Sequence, residues 1–474
     1  MSAPPAMDAR TRRLLTGPIL PTLLRLAWPN VLVMVAQAST GLIETWWVGH
    51  LGTDALAGMA LVFPGVMLMQ MLSAGAMGGG ISSAIARALG AGRRADADAL
   101  VLHAVVLNAL IGLGCSVVFL VWGRPLYRLL GGEGAALEAA LAYSNVVFAG
   151  NVFTWVMNAL ASAIRGTGNM LVPALITCGG VALLVPLSPV LIFGFGPVPA
   201  LGIAGGGLAL VLFNLGAGLV LGWYILSGRS VVHLRRARLT WPLSRDILRV
   251  GAVATISSVQ TNAVIAVATA LVGAAGGTAA VAGYGTGARL EYLLIPLVFG
   301  IGAPLVAMVG TNIGAGQRER ALRIAWTGGA VAFCLTELIG ILAAIFPEAW
   351  LDLFGHDPGM RAAGVPYLRI VGPCYGFFGL GLALYFASQG AGRLLWPLVG
   401  GFLRVAVALG GGWVALRATG SLPWLYAALG TGLVAYGIAV AVSIARGVWF
   451  NERVSGVSPQ SRPGSRLAPA MPRS

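Results

Sequence analysis

Six ionisable side chains fall inside long apolar runs of this chain: Glu44, Arg289, Glu291, Glu337, Arg369 and Arg404. A charge in hydrocarbon is costly, so each one marks a functional position by default. Glu44 has the most telling surroundings. Asn30, Gln37, Thr40 and Glu44 follow the spacing i, i+7, i+10, i+14 and share an arc of about 80° on a helix. A polar stripe of that kind lines a cavity or a helix interface. A carboxylate in it can take a proton or Na⁺ and can attract a cationic substrate. Removing a carboxylate from water favours its protonated form, which a proton-coupled step requires. The competing reading is a packing carboxylate, hydrogen-bonded to its neighbours. The cost of an intramembrane charge tips the balance toward function.

A second stripe, Thr255, Ser258, Asn262 and Thr269, spans an arc of about 60°. It carries no acid. Further on, Arg289 and Glu291 are two residues apart and face different ways on a helix. Glu291 shares its face with Tyr284, giving a polar and aromatic cavity surface. Arg289 is expected to pair with Glu337 or another acid across helices. A structural ion pair in this half stands level with a direct role. Glu337, Arg369 and Arg404 read as structural. We therefore place Asn30, Asn262, Tyr284, Arg289 and Glu291 along a substrate cavity.

Other chemistry finds little support. His50, His103, His233 and His356 are scattered and suggest no metal site. Cys115, Cys178, Cys334 and Cys374 lie in apolar runs without metal-ligand spacing. The run Gly283, Gly285, Gly287 lacks the strand context of a nucleotide site, and no phosphate-binding loop suggests ATP drive. No cofactor is expected, and clustered His, Asp or Cys of the kind an enzyme needs at a membrane face is missing from the sequence.

The elements that must position these residues are membrane helices. Mean hydropathy is +0.86, and 9% of residues are charged, against about 25% in ordinary soluble domains. About twelve runs are long enough to cross a bilayer. The second half repeats the first at an offset of about 224 residues. Gly90-Ala91-Gly92 recurs as Gly314-Ala315-Gly316, Tyr143 as Tyr367 and Gly166 as Gly390. The position equivalent to Glu44 is Ala268. All 30 basic residues are arginine. About 23 of them lie in alternate loops and the terminal segments, against about four in the opposite loops, which makes both termini cytoplasmic. The net charge of +15 thus reflects topology and contact with an anionic lipid bilayer, and no nucleic-acid partner is expected. Six spans per half make the repeat parallel. The expected layout is a cytoplasmic segment 1–25, an N-lobe 26–226, a cytoplasmic linker 227–247, a C-lobe 248–446 and a disordered tail 447–474.

Several motifs resemble the multidrug and toxic compound extrusion (MATE) family. They are Ile43-Glu44-Thr45 with Val48-Gly49-His50-Leu51-Gly52, then Pro197-Val198-Pro199-Ala200-Leu201-Gly202, Arg289-Leu290-Glu291, and Val309-Gly310-Thr311-Asn312-Ile313-Gly314-Ala315-Gly316. The resemblance covers about residues 20 to 446. It implies an all-α integral membrane protein with twelve transmembrane helices in two parallel six-helix repeats, V-shaped around a cavity. It also implies a cation-coupled antiporter, driven by H⁺ or Na⁺, that expels lipophilic, cationic small molecules across the plasma (inner) membrane as a monomer. Glu44 stands where the family usually has Asp. Ser188 stands where a second Asp is common, and Leu184 near a usual Asn. The implied cation site is then Glu44 with Gln37, Thr40, Thr177 and Ser188, which leans toward protons. The alternatives are a flippase or exporter of a lipid-linked or other specific metabolite, and a non-transporting membrane scaffold.

Overall fold

A computed structural model describes residues 8–450. The Pro-, Ser- and Arg-rich tail from 451 onward lies outside the described residues. Within them the chain is helical, with one isolated bridge, Phe195 to Val198, closing a loop. A short helix, Ala9–Thr16, comes first. Asp8 caps it by accepting from the backbone N–H groups of Arg10 and Thr11.

The first six spans are Ile19–Gly49, Thr53–Gly90, Arg94–Leu129, the pair Gly134–Ala149 and Asn151–Gly166 bent by 46°, Leu171–Phe193 and Ile203–Leu226. The run Trp241–Gly314 comes next, then spans 9 to 12: Arg318–Ile345, Pro358–Ala391, Leu395–Thr419 and Leu422–Ala445. An unbroken helix of 74 residues would be about 110 Å long, against a hydrocarbon core of about 30 Å. It is broken at Gly277, whose φ of 69° and ψ of −164° no helix allows. Spans 7 and 8 meet there, which brings the described spans to twelve. Spans 1 and 7 begin earlier than their apolar runs, at Ile19 and Trp241.

Burial divides the molecule into two lobes. One core runs from Val48 to Ile247 and a second from Ala268 to Leu433. A third cluster joins Leu14, Leu23 and Ala27 to Val298, Ile301 and Leu305. The first half of span 1 therefore packs on the second lobe, whereas Glu44 sits in the first. The linker is held to the first lobe: Asp98 accepts from the His233 backbone N–H at 2.8 Å, and His103 Nε2 accepts from Thr240 N–H at 2.9 Å.

The repeat reappears as a pseudo-two-fold axis. Gly90 abuts the Thr311 carbonyl, and its equivalent Gly314 abuts the carbonyl of Arg87, the equivalent of Thr311. Ala86 meets its own equivalent, Gly310, on the axis. A side chain at Gly90 or Gly314 would collide with backbone, so the lobes close here only because both are glycine. Polar contacts add to the seal. Ser83 Oγ donates to the Gln389 carbonyl at 2.5 Å, and Arg87 reaches Gly390 O at 3.1 Å and Asp246 at 2.7 Å. Among the described residues, the cross-lobe hydrogen bonds and ion pairs lie at mid-span or on the arginine-rich side. These contacts join the lobes on that side.

Candidate functional site

Each lobe buries one carboxylate of interest. In the first lobe, Glu44 of span 1 is 7% exposed. Ser188 of span 5, fully buried, lies beside it, and Tyr143 of span 4 lies within its electrostatic reach. Span 6 approaches closely because it presents Gly206 here; a β-carbon at that position would stand 3.2 Å from Glu44 Oε2. Neither Glu44 Oε2 nor Ser188 Oγ has a hydrogen-bond partner of normal geometry in the protein. A buried carboxylate oxygen without a donor is costly. The arrangement suits a group that gains and loses a small cation.

The rest of the first stripe lies deeper along span 1. Thr40 is half-buried and its hydroxyl bonds back to the Ala36 carbonyl at 2.9 Å. Gln37 is half-buried, and Asn30 is buried with its amide nitrogen unpartnered. Thr177 is buried on span 5. It shares the face of Ser188 but lies three turns away, roughly 16 Å along the helix. The fold thus brings Ser188 to Glu44 and leaves Thr177 at the level of the deeper stripe.

In the second lobe, Glu291 of span 8 pairs with Arg404 of span 11, Oε1 to Nη2, at 2.8 Å. Their side chains are 14% and 10% exposed. Tyr367 of span 10 donates to Glu291 Oε2 at 3.2 Å. Tyr284 meets Tyr367 edge-on at 5.2 Å and lies parallel to Tyr426 at 6.3 Å. The Arg404 guanidinium sits over the Phe378 ring at 5.1 Å. A crevice of about 20 Å³, enough for one water, opens among Glu291, Arg404, Tyr284, Tyr292 and the span 7 residues Val264 and Ile265.

Two expectations change. Arg289 does not join Glu291 in the cavity and does not pair with Glu337. It is exposed and lies over Phe354 at 5.3 Å. Glu337 instead accepts from the Gly376 backbone N–H at 2.6 Å. The physical reason is rotation: two residues along a helix is about 200°, so Glu291 and Arg289 cannot share a face. Arg404, read as structural, supplies the charge that Arg289 was expected to bring. A buried arginine calls for an acid, and that was the available signal for it. Asn262 is exposed on span 7 and reaches across the lobes to the Met71 sulfur at 4.0 Å. That places it where the lobes meet. Tyr367, Tyr375 and Tyr426 were not singled out for this site by sequence reasoning; only Tyr367 carried a mark, as the repeat partner of Tyr143.

Comparison with known proteins gives a consistent result. The MatE family model matches residues 29–190 and 254–414. A protein of Shewanella oneidensis named FAD transporter is 27% identical over 380 residues, 79% of this chain and 82% of that one. A probable multidrug resistance protein NorM of Thermotoga maritima is 28% identical over 396 residues, covering 81% and 83%. Among solved structures, an outward-facing multidrug resistance MATE transporter of the MOP superfamily superposes with a TM-score of 0.85 at 23% identity, covering 94% of this chain and all of that one. A MOP superfamily transporter from Pyrococcus furiosus gives a TM-score of 0.84, also at 23% identity, covering 93% and 98%.

Proposed function

Because this chain belongs to the MatE family of membrane transporters, we propose that it is a cation-coupled antiporter that exports lipophilic cations by alternating access. The observation that carries the reading is Glu44: a buried carboxylate with the Ser188 hydroxyl beside it and an oxygen without a donor of normal geometry, at the meeting of spans 1, 5 and 6. Span 1 also packs on the second lobe through Leu23 and Ala27. A change of charge at Glu44 therefore acts on a helix that links both lobes. In the cycle, the lobes stand apart on the side poor in arginine, which faces outward with both termini cytoplasmic. Glu44 takes a cation from outside as substrate leaves, and the lobes then rock to open the arginine-rich side. The partner hydroxyl of Ser188 supports protons over Na⁺, since Na⁺ asks for several oxygen ligands and this site offers few. Asn30 and Asn262 contribute polar groups to the path between the lobes.

A second reading, export of a specific metabolite, is favoured by the relative named FAD transporter. Flavin dinucleotides are aromatic and anionic, which sets them apart from lipophilic cations.

The test is uptake of a fluorescent lipophilic cation into proteoliposomes under an imposed pH or Na⁺ gradient, for the wild type and Glu44→Gln. Gradient-driven uptake that disappears in the variant supports coupling through Glu44, and the effective gradient names the ion. Undiminished uptake in Glu44→Gln would contradict it. A wild type that moves no cation under either gradient would turn attention to the metabolite reading.

A further inference from the structure

The cluster around Arg404 has no part in the Glu44 cycle, and its donors outnumber its acceptors. A guanidinium carries five N–H donors. At Arg404 one side-chain acceptor engages them, Glu291 Oε1 at 2.8 Å. The other Glu291 oxygen already accepts from the Tyr367 hydroxyl. Tyr426, fully buried in the same cluster, has a hydroxyl without a protein partner. Burying unpaired donors is unfavourable. A group that only accepts, a carboxylate or a phosphate, satisfies such a set best.

Access and shape point the same way. The crevice beside Arg404 is bordered by Val264 and Ile265 of span 7, the span whose Asn262 reaches the opposite lobe. Directly after Arg404, span 11 adopts a π-helical turn over Ala406–Gly411, and Ala408 of that turn lines the crevice. Such turns interrupt regular helix and recur at functional sites. The lining phenols Tyr284 and Tyr292 offer rings to a flat substrate. As it stands, the crevice holds about one water, so an oxyanion enters only as the π-turn and Tyr292 give way.

We propose that this cluster is an oxyanion subsite, in which Arg404 receives the carboxylate or phosphate end of an aromatic substrate and the tyrosines receive its ring. The proposal rests on the reading of the chain as a transporter and extends its substrate class to aromatic anions. Arg404 and the acceptor-poor phenols bind, and Glu291 positions the guanidinium.

The experiment uses the full chain and three probes: a fluorescent aromatic carboxylate, an aromatic phosphate monoester and a lipophilic cation. Binding is followed by fluorescence anisotropy or competition in detergent, and transport in proteoliposomes. Arg404→Gln alone strands the Glu291 charge, so the double variant Glu291→Gln/Arg404→Gln is compared with the wild type, together with Tyr426→Phe. Wild type should bind at least one anionic probe. The double variant should bind it about tenfold more weakly, the worth of one charge-assisted hydrogen bond. Tyr426→Phe should weaken it less, and it decides the matter if the double variant does not fold. Unchanged anion affinity in the folded variants, or no anion binding by a wild type that moves the cation, would overturn the proposal. Anion binding lost in the variants while the wild type moves no cation would keep the subsite and sink the drug-antiport reading. The anion that binds more tightly tells carboxylate from phosphate.

Discussion

The two lobes descend from one repeated pattern, yet they treat a buried carboxylate in opposite ways. In the first lobe Glu44 has a serine hydroxyl beside it and an oxygen left unpartnered. In the second, Glu291 is held by Arg404 and Tyr367. Equivalent tyrosines, Tyr143 and Tyr367, stand near both acids. The acids themselves are not equivalent: the repeat partner of Glu44 is Ala268, and those of Glu291 and Arg404 are Met67 and Gly180. The contacts between the lobes are symmetric: Gly90 meets Thr311 and Gly314 meets Arg87. In the proposed cycle, symmetry serves the rocking of the lobes and asymmetry serves the chemistry. A charge free to change state suits coupling; a charge already balanced suits structure or recognition.

That contrast can be broken most forcefully in the second lobe. Glu291→Ala or Arg404→Ala leaves one buried charge alone and should cost about 3–5 kcal/mol of stability, whereas Glu291→Gln/Arg404→Met should cost far less. Thermal unfolding of the detergent-purified protein checks both. The corresponding change in the first lobe, Glu44→Gln, removes no ion pair. It should leave stability within about 1 kcal/mol of the wild type while removing gradient-driven transport. If Glu44→Gln destabilised as much as Arg404→Ala, the two acids would be alike and the comparison would fail.

The contacts between the lobes supply the next tests. Gly90→Val places branched carbon against the Thr311 carbonyl. It should disfavour the closed arginine-rich side by about 1–3 kcal/mol, the usual cost of overpacking. Cysteines introduced at that interface should then label faster from the arginine-rich side. Unchanged labelling would mean that the lobes do not rely on this contact. Gly314→Val should behave alike, as the pseudo-two-fold relation requires. The smallest effect belongs to Asp246→Asn. Its side chain is 44% exposed, so loss of the Arg87 bridge should shift the same labelling by no more than about 1 kcal/mol.

Much of the frame could be read in the chain. The offset repeat and the apolar runs appear as helices in matching positions. The stripe ending at Glu44 was legible because helical periodicity fixes a face. Depth along a helix and the rotation of its neighbours are tertiary facts, and there the reading stopped. Thr177 shares a face with Ser188 but not a level. Arg404 lies 113 residues from Glu291 in the chain, so periodicity within one span could not join them. Arg289, two residues away, attracted the assignment that Arg404 deserved. The packing of span 1 on both lobes was equally hidden, because Leu23 and Ala27 look like any other apolar residues.

The central claim is that Glu44 links cation movement to the rocking of the lobes. The most direct measurement compares two rates in the same Glu44→Gln proteoliposomes: substrate exchange at equal concentrations without a gradient, and uptake against a concentration difference driven by a pH or Na⁺ gradient. The account predicts that exchange persists while driven uptake is lost, since the path remains and the coupling does not. Driven uptake persisting alongside exchange would contradict it.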